Sequence, residues 1–440
     1  MARFFIQNFG CRATQADGAA LAASLSHRGM DAADYCSSAD LVILNTCTVT
    51  ASADDDVRQT IRRVHRNNPL AKILVTGCYA QRAPRELADM PGVSWVVGNS
   101  HKPAIPEILG ERQDSLEFHG ELPAAIHIGD ISLQREFLSA PVQDAGQRTR
   151  PNLKIQDGCN NVCSFCIIPS VWGRSRSAPP GQVIEQVRAL SGQYREVVLS
   201  GINLGRWGRD AGRPFGMRLA GLLRRLLAET RVERLRLSSV EPMDFSDDLL
   251  ELMAGSGRIA GHVHAPLQSG CDAVLKRMKR RYRTRHYADR ILKARRLMPD
   301  AAIGADVMVG FPGETDTEFE ESRQFIERMP FTYLHVFTYS ERPGTPAAES
   351  SAQVPMRVRK ERNRILRELA ARKNLAFRQT FAGRSLSVVT LEPGMPALSD
   401  NYLKVELASD RPANQILDVE IAEVTGDGLR EAGPFRLLPT

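Results

Sequence analysis

No apolar run in this 440-residue chain comes near the ~20 residues that a membrane-spanning helix needs, so a helical membrane protein is excluded. The first residues, Met1 to Gly10, lack an apolar core followed by small residues at a cleavage site, so export is not expected. Cysteine is sparse, eight in all. In a chain kept in a reducing cytoplasm, that number argues against a disulfide framework and for metal or redox chemistry. Hydrophobic residues at 42% and charged residues at 25% exclude a disordered or fibrous chain and fit an ordinary folded one. Its length is too great for a single core, so two or three domains are expected. Acidic residues fall short of basic ones, and the net charge of +7 points to a polyanionic partner if the excess is gathered on one surface.

What is present is concentrated between Gln156 and Arg176. Cys159, Cys163 and Cys166 stand at spacings of three and two residues, close enough for three thiolates to converge on one centre. A closed zinc site wants four ligands, and simple iron–sulfur clusters usually take four cysteines, so three thiolates leave one iron open. Half of a zinc site completed from elsewhere, or a group of reactive thiols, is the alternative. With Phe165 just before the last cysteine, the spacing resembles that of the radical S-adenosylmethionine (SAM) enzymes, where the methionine amino and carboxylate groups bind the open iron.

Three more cysteines close apolar runs in the first hundred residues. Arg3 to Phe9 ends in Gly10-Cys11, Asp40 to Thr46 in Cys47, and Lys72 to Gly77 in Cys78. Helical patterns lie between them: Ala19 to Arg28, closed by Gly29, and Asp54 to Asn68, where Val57, Ile61 and Val64 share a face before Pro69. With a fourth strand at Val93 to Val97, the alternation predicts a small doubly wound parallel sheet covered on both faces. The carboxyl ends of such strands share one edge, so Cys11, Cys47 and Cys78 should converge there. Three buried structural cysteines are the alternative. Cys36 and Cys271 have no such placement.

Residues 101–150, with Pro103, Pro106, Pro123 and Pro141, read as a connector with a short strand near Ala125 to Ile128. From 151 to 375, strands are expected at Leu153–Gln156, Glu196–Ser200, Arg234–Ser239, Gly261–Ala265, Ala301–Val309 and Phe331–Thr338, with helices between. That count predicts an α/β partial barrel of six βα units, with the cysteine loop after its first strand on the rim where barrel chemistry is done. Polar and glycine-rich strand ends mark a pocket for SAM: Ser200, Gly201 and Asn203, then Ser238 and Glu241, then Gln268, then Asp306. From 376 to 440 the period turns to alternation at Leu386–Leu391, Tyr402–Leu407 and Ile416–Val424, which predicts a small β-barrel. Two basic runs, Lys276 to Arg296 and Arg357 to Arg378, are read as RNA contacts in preference to plain solvated faces.

The chain resembles the radical SAM methylthiotransferases from residue 3 to its end. The likeness rests on Gly10-Cys11, Asn45 to Val49, Gly77-Cys78, the Cys159 loop, Leu267 to Gly270, Val307 to Thr315 and Phe337 to Pro346. The resemblance implies two 4Fe-4S clusters, one on Cys159, Cys163 and Cys166 that cleaves SAM reductively, and an auxiliary one on Cys11, Cys47 and Cys78. It implies an electron donor of flavodoxin or ferredoxin type, a sulfur source, and transfer of a methylthio group to a carbon. That carbon is most often C2 of a modified adenosine beside the tRNA anticodon; one branch modifies an aspartate of a ribosomal protein. It also implies that the last domain is a TRAM-like RNA-binding barrel. The residues around Cys11 and Cys47 are most similar to the branch acting on N6-threonylcarbamoyladenosine. The isopentenyladenosine branch usually carries Ser-Val-Arg where Thr48-Val49-Thr50 stands. Relatives often have Asn two residues after the basic residue that follows the first cysteine, and this chain has Thr14. Arg342 is a candidate partner for the threonylcarbamoyl carboxylate. A non-catalytic RNA-binding protein with zinc on its cysteines is the reading from another class.

Overall fold

The computed structural model describes residues 2–110, 123–137, 149–210, 215–392, 394 and 396–433. Pro141 and parts of the expected connector lie outside them. Strands β1 (Arg3–Asn8), β2 (Asp31–Ala32), β3 (Leu41–Thr46), β4 (Lys72–Gly77), β5 (Val93–Gly98) and β6 (Ala125–His127) form one sheet in the order β2-β1-β3-β4-β5-β6. Every pairing in it is parallel. The inner strands are continuous apolar runs because both faces are covered. Val42, Leu44, Ile73 and Val75 pack with Val57, Ile61 and Val64 of helix α2 (Ala51–Asn67). The alternate residues Leu41, Ile43 and Leu74 meet Leu21 and Leu25 of helix α1 (Arg12–His27). Strand β6, read from sequence as part of the connector, extends this sheet beside β5.

Helix α1 starts at Arg12 rather than Ala19. Its polar first two turns and Gly18 hide the helical period. Gly18 leaves room for the Asn8 side chain on β1: a Cβ there would lie 2.0 Å from Asn8 Oδ1, which would have to swing away.

All six strands expected in the central part form: β7 (Asn152–Asp157), β9 (Glu196–Gly201), β10 (Arg234–Leu237), β11 (His262–His264), β12 (Ala302–Val309) and β13 (Tyr333–Thr338), with a short β8 (Arg176–Ser177) antiparallel to β7. β7, β9 and β10 pair in parallel, as do β11, β12 and β13. A parallel bridge from Leu235 to Ile259 joins the two sets. The result is the open (βα)6 barrel that the strand count predicts. Leu153, Ile155, Val197, Leu199 and Leu235 face the helices and pack with Val187, Leu222 and Leu226. The alternate positions Lys154, Gln156, Ser200, Arg236, His262 and His264 are buried and polar, so the barrel interior is a polar site rather than an apolar plug. α1 packs on β7, where Lys154 Nζ lies 2.5 Å from Asp17 and Asn152 Nδ2 donates to Arg12 O at 2.6 Å.

The helix Met356–Gln379 runs along β13 to the last domain, with Leu366 and Leu369 in the barrel core. There, β14 (Ser385–Val389), β15 (Ala397–Ser399), β16 (Lys404–Glu406), β17 (Ile416–Val424) and β18 (Leu429–Glu431) close a barrel in the order β14-β15-β16-β18-β17 around Leu386, Val388, Val405, Val419 and Ile421. β15 and β18 are three-residue strands not read from the sequence, whereas the equally short β16 falls within the expected Tyr402–Leu407. Among the described residues no helix is long and apolar enough to cross a membrane.

Much of the basic runs is structural. Arg359 donates to Val354 O and Tyr339 O, Arg362 pairs with Glu314 at 2.7 Å, and Arg378 donates to Gly428 O. Arg277 pairs with Glu318, Arg290 with Asp247, and Lys293 with Glu251.

Candidate active site

Cys11, Cys47 and Cys78 follow β1, β3 and β4, which are neighbours in the sheet at the point where its order reverses. Ligands bind at such a crevice in an open α/β sheet. Gly10, at φ +93°, lets the first loop close on the second: a Cβ there would lie 2.5 Å from Cys47 Cβ and 2.8 Å from its Sγ. Burial pushes the Cys47 thiol up to about 11, with Cys11 contributing, and pushes Cys78 higher still, with Cys47 contributing. The Cys78 sulfur accepts hydrogen bonds from Trp172 Nε1 at 3.0 Å and Asn99 Nδ2 at 3.8 Å. Trp172 belongs to the short helix Ile168–Trp172 just after the other cysteine loop, so the two cysteine groups share one wall.

That second loop leaves β7. Cys159 N donates to Gly173 O at 3.1 Å and Cys166 N to Cys163 O at 3.2 Å, which folds the three thiols toward one another. Burial pushes Cys166 up to about 12 and raises Cys159, and the neighbouring thiols add to both. Polar hydrogens point at the sulfurs: Asn203 Nδ2 lies 3.5 Å and the Asn161 amide 3.4 Å from Cys159, and Arg280 Nη1 lies 3.3 Å from Cys163. Such donors stabilise thiolates, which metal binding requires, far more than neutral thiols.

Both groups open on one cavity of about 770 Å³, whose lining includes Cys11, Cys47 and Cys166. Of the residues expected around SAM, Phe165, Ser200, Gly201, Ser238, Gln268 and Asp306 line it. Gln268 holds φ +65°, a conformation that costs free energy in a residue with a side chain, and its backbone N–H donates to Asp306 O at 2.8 Å. Asn203 and Glu241 take other places. Asn203 points at Cys159, and Glu241 pairs with buried Arg280 behind Cys163.

The expectation for Arg342 is corrected. It is 4% exposed, its Nη1 lies 2.7 Å from Asp54 and 3.1 Å from Thr48 O, and Asp54 is also held by Arg82. This arginine ties α2 to the segment after β13 and is not among the residues that line the cavity.

The opposite wall carries residues that sequence reasoning missed. Asp306 accepts from His335 Nδ1 at 3.1 Å and lies 3.3 Å from His264 Nε2. Burial alone would raise Asp306, and these two imidazoles outweigh it, leaving the carboxyl below its ordinary range. His264 Nδ1 meets Ser239 Oγ at 2.6 Å, and His262 Nε2 meets the Tyr333 hydroxyl at 2.7 Å. Tyr402, from the C-terminal barrel, stacks on His262 at 4.4 Å, and Arg12 reaches its hydroxyl at 3.1 Å. The signal was available in part: His262 and His264 stand two apart in one strand and Tyr333 and His335 two apart in another, which places each pair on one face.

Residues 3–98 match the family described as uncharacterized protein family UPF0004, and residues 153–326 match the radical SAM superfamily. The threonylcarbamoyladenosine tRNA methylthiotransferase MtaB of Bacillus subtilis is 38% identical over 92% of this chain and 90% of its own, and that of Aquifex aeolicus 35% over 94% and 99%. A tRNA-2-methylthio-N(6)-dimethylallyladenosine synthase of Saccharopolyspora erythraea is 34% identical over 88% and 78%. Among solved structures, the radical SAM methyltransferase TsrM of Kitasatospora setae superposes with a TM-score of 0.56 at 15% identity, covering 79% of this chain and 75% of that one, a likeness of fold alone.

Proposed function

The chain belongs to the radical SAM methylthiotransferase family, and from the two cysteine groups that open on one cavity we propose that it methylthiolates C2 of N6-threonylcarbamoyladenosine beside a tRNA anticodon. It is an enzyme that transfers a sulfur-containing group and uses a 4Fe-4S cluster and SAM. Cys159, Cys163 and Cys166 hold that cluster, and Cys11, Cys47 and Cys78 hold a second. The donor sets suit both: burial holds the free Cys78 and Cys159 thiols protonated, and N–H groups aimed at Cys78, Cys159 and Cys163 would favour them as thiolates once a cluster is bound. When bound, an open-iron cluster supplies the electron that cleaves SAM, and the second supplies the site from which sulfur is delivered.

The rest is work for the chain's own side chains. Phe165, Ser200, Gly201, Ser238, Gln268 and Asp306 bind SAM between the cysteine loop and the barrel interior. Trp172, Ile167 and Val171 keep water from Cys78 and join the two domains at the place where their cysteines meet. Arg280, buried between Cys163 and Glu241, fixes the loop and places positive charge beside its thiolates. The closed C-terminal barrel binds RNA, with exposed basic residues of the central domain beside it. The protein works in the cytoplasm with a flavodoxin- or ferredoxin-type electron donor and a separate source of sulfur.

The relatives named for threonylcarbamoyladenosine span nearly the whole chain and carry the choice of nucleoside. Deleting the gene in its host and analysing digested tRNA by mass spectrometry tests it. Loss of the 2-methylthio form of threonylcarbamoyladenosine, with isopentenyl species untouched, is expected. The reverse pattern, or intact tRNA nucleosides with an unmodified ribosomal-protein aspartate, refutes the reading.

A further inference from the structure

We infer that Arg12, oriented by Tyr402, binds the carboxylate of the threonylcarbamoyl group and so selects the substrate, an inference that rests on the nucleoside proposed above. Arg12 lines the large cavity directly after Cys11. Its Nη2 donates to the Tyr402 hydroxyl at 3.1 Å, while its Nη1 is buried and has no hydrogen-bond partner among the described residues. Leaving that Nη1 unpaired costs free energy, and an anion in the cavity that drew the Arg12 guanidinium toward it would recover the cost.

Among the described residues no carboxylate pairs with Arg12. Asp306, the acid on the cavity wall, is engaged by His264 and His335. Behind Tyr402, Glu196 is engaged by Arg236, and Asp400 faces Arg234 and Arg236. His262 and Tyr333, which share this end with Tyr402, bond to each other, and of the two guanidiniums over the Tyr402 ring Arg236 is held by Glu196 while Arg12 has no acid beside it among the described residues.

The position suits the N6 substituent. In adenine, C2 and the C6 that bears N6 both flank N1, so a base presenting C2 to the cysteine loops turns its N6 group along the same wall. There it meets Arg12 beside Cys11. An arginine and a carboxylate make charge-assisted, often paired hydrogen bonds, and an isopentenyl group offers no acceptor. Tyr402 holds the left-handed conformation at φ +68°, a strained setting for a bulky residue, which aims its ring out of the C-terminal barrel onto His262. Three domains therefore meet at this point, through Arg12, His262 and Tyr402.

The test uses the cluster-loaded enzyme and two synthetic anticodon stem-loop RNAs, one with threonylcarbamoyladenosine and one in which its carboxylate is a carboxamide. Binding is measured by fluorescence anisotropy. The wild type should favour the acid by about tenfold to a hundredfold, the range expected of a hydrogen bond to a charged group. Arg12→Gln should bind the two RNAs alike, at the wild-type affinity for the amide, and Arg12→Lys should keep part of the preference. Two results overturn the inference alone: an Arg12→Gln variant with the wild-type ratio, or an equal loss on both RNAs, as a phosphate contact or a damaged fold would give. If the wild type instead methylthiolates an isopentenyladenosine RNA and leaves the threonylcarbamoyl RNA untouched, the nucleoside reading fails and takes this inference with it.

Discussion

Glu196→Gln should loosen the C-terminal barrel from the rest of the protein. Glu196 is fully buried on β9, with Arg236 Nε and Nη2 at 2.7 and 3.1 Å from its two oxygens, Arg150 at 3.2 Å and Arg234 at 3.6 Å. Arg236 also donates to Ser399 O and Asp400 O, and Arg234 to Ser387 Oγ, all on the C-terminal barrel. The carboxylate thus fixes the two arms that hold that barrel in place. Burial by itself raises Glu196, but Arg236 first, then Arg150 and Arg234, bring it down from the ordinary 4.5 to about 2. That difference is worth about 3 kcal/mol. The folded value lies below the unfolded one, so this stability is fully present above about pH 4.5 and is lost as the pH falls toward 2. Removing the charge leaves three arginines without their anion, and breaking such a buried pair costs ~3–5 kcal/mol. Amide exchange followed by mass spectrometry on the whole chain at neutral pH is the assay. Opening of Ser385–Val389, Ala397–Ser399 and Lys404–Glu406 should become about a hundredfold more frequent, while β1 and β3 to β5 change little. Unchanged exchange in those strands, or an equal rise throughout the molecule, would refute the reasoning.

Cys163→Ala should remove the iron of one cluster and all cleavage of SAM, measured by iron analysis and by the 5′-deoxyadenosine formed; cleavage at the wild-type rate contradicts the loop assignment. Gly10→Ala places a Cβ 2.5 Å from Cys47 at a φ that suits glycine, so the first two loops must part. It should lose the iron of the other cluster and product formation while still cleaving SAM, and a full complement of iron would show that the loops do not jointly hold metal.

The sequence by itself determined the parts that rest on local pattern. Apolar runs ending in cysteine named β1, β3 and β4, and a parallel sheet with its order reversing beside them brings those ends together with no further instruction. The six central strands and the placing of the first cysteine loop followed in the same way, from period and length. What local pattern does not carry is which charge meets which. Arg342 and Arg12 look alike in a sequence, yet Arg342 finds an acid, Asp54, 288 residues away, while Arg12 finds a tyrosine 390 residues away and keeps a buried Nη1 unfilled. The basic runs divide likewise, several of their arginines capping carbonyls or pairing with acids that only the packing of helices on the barrel brings near. The pairing of His335 with Asp306 needs β12 and β13 in one register, where those two residues stand opposite each other. Periodicity is a property of neighbours along the chain and can be read there; the partner of a long polar side chain is set by distances that exist only once the domains have packed.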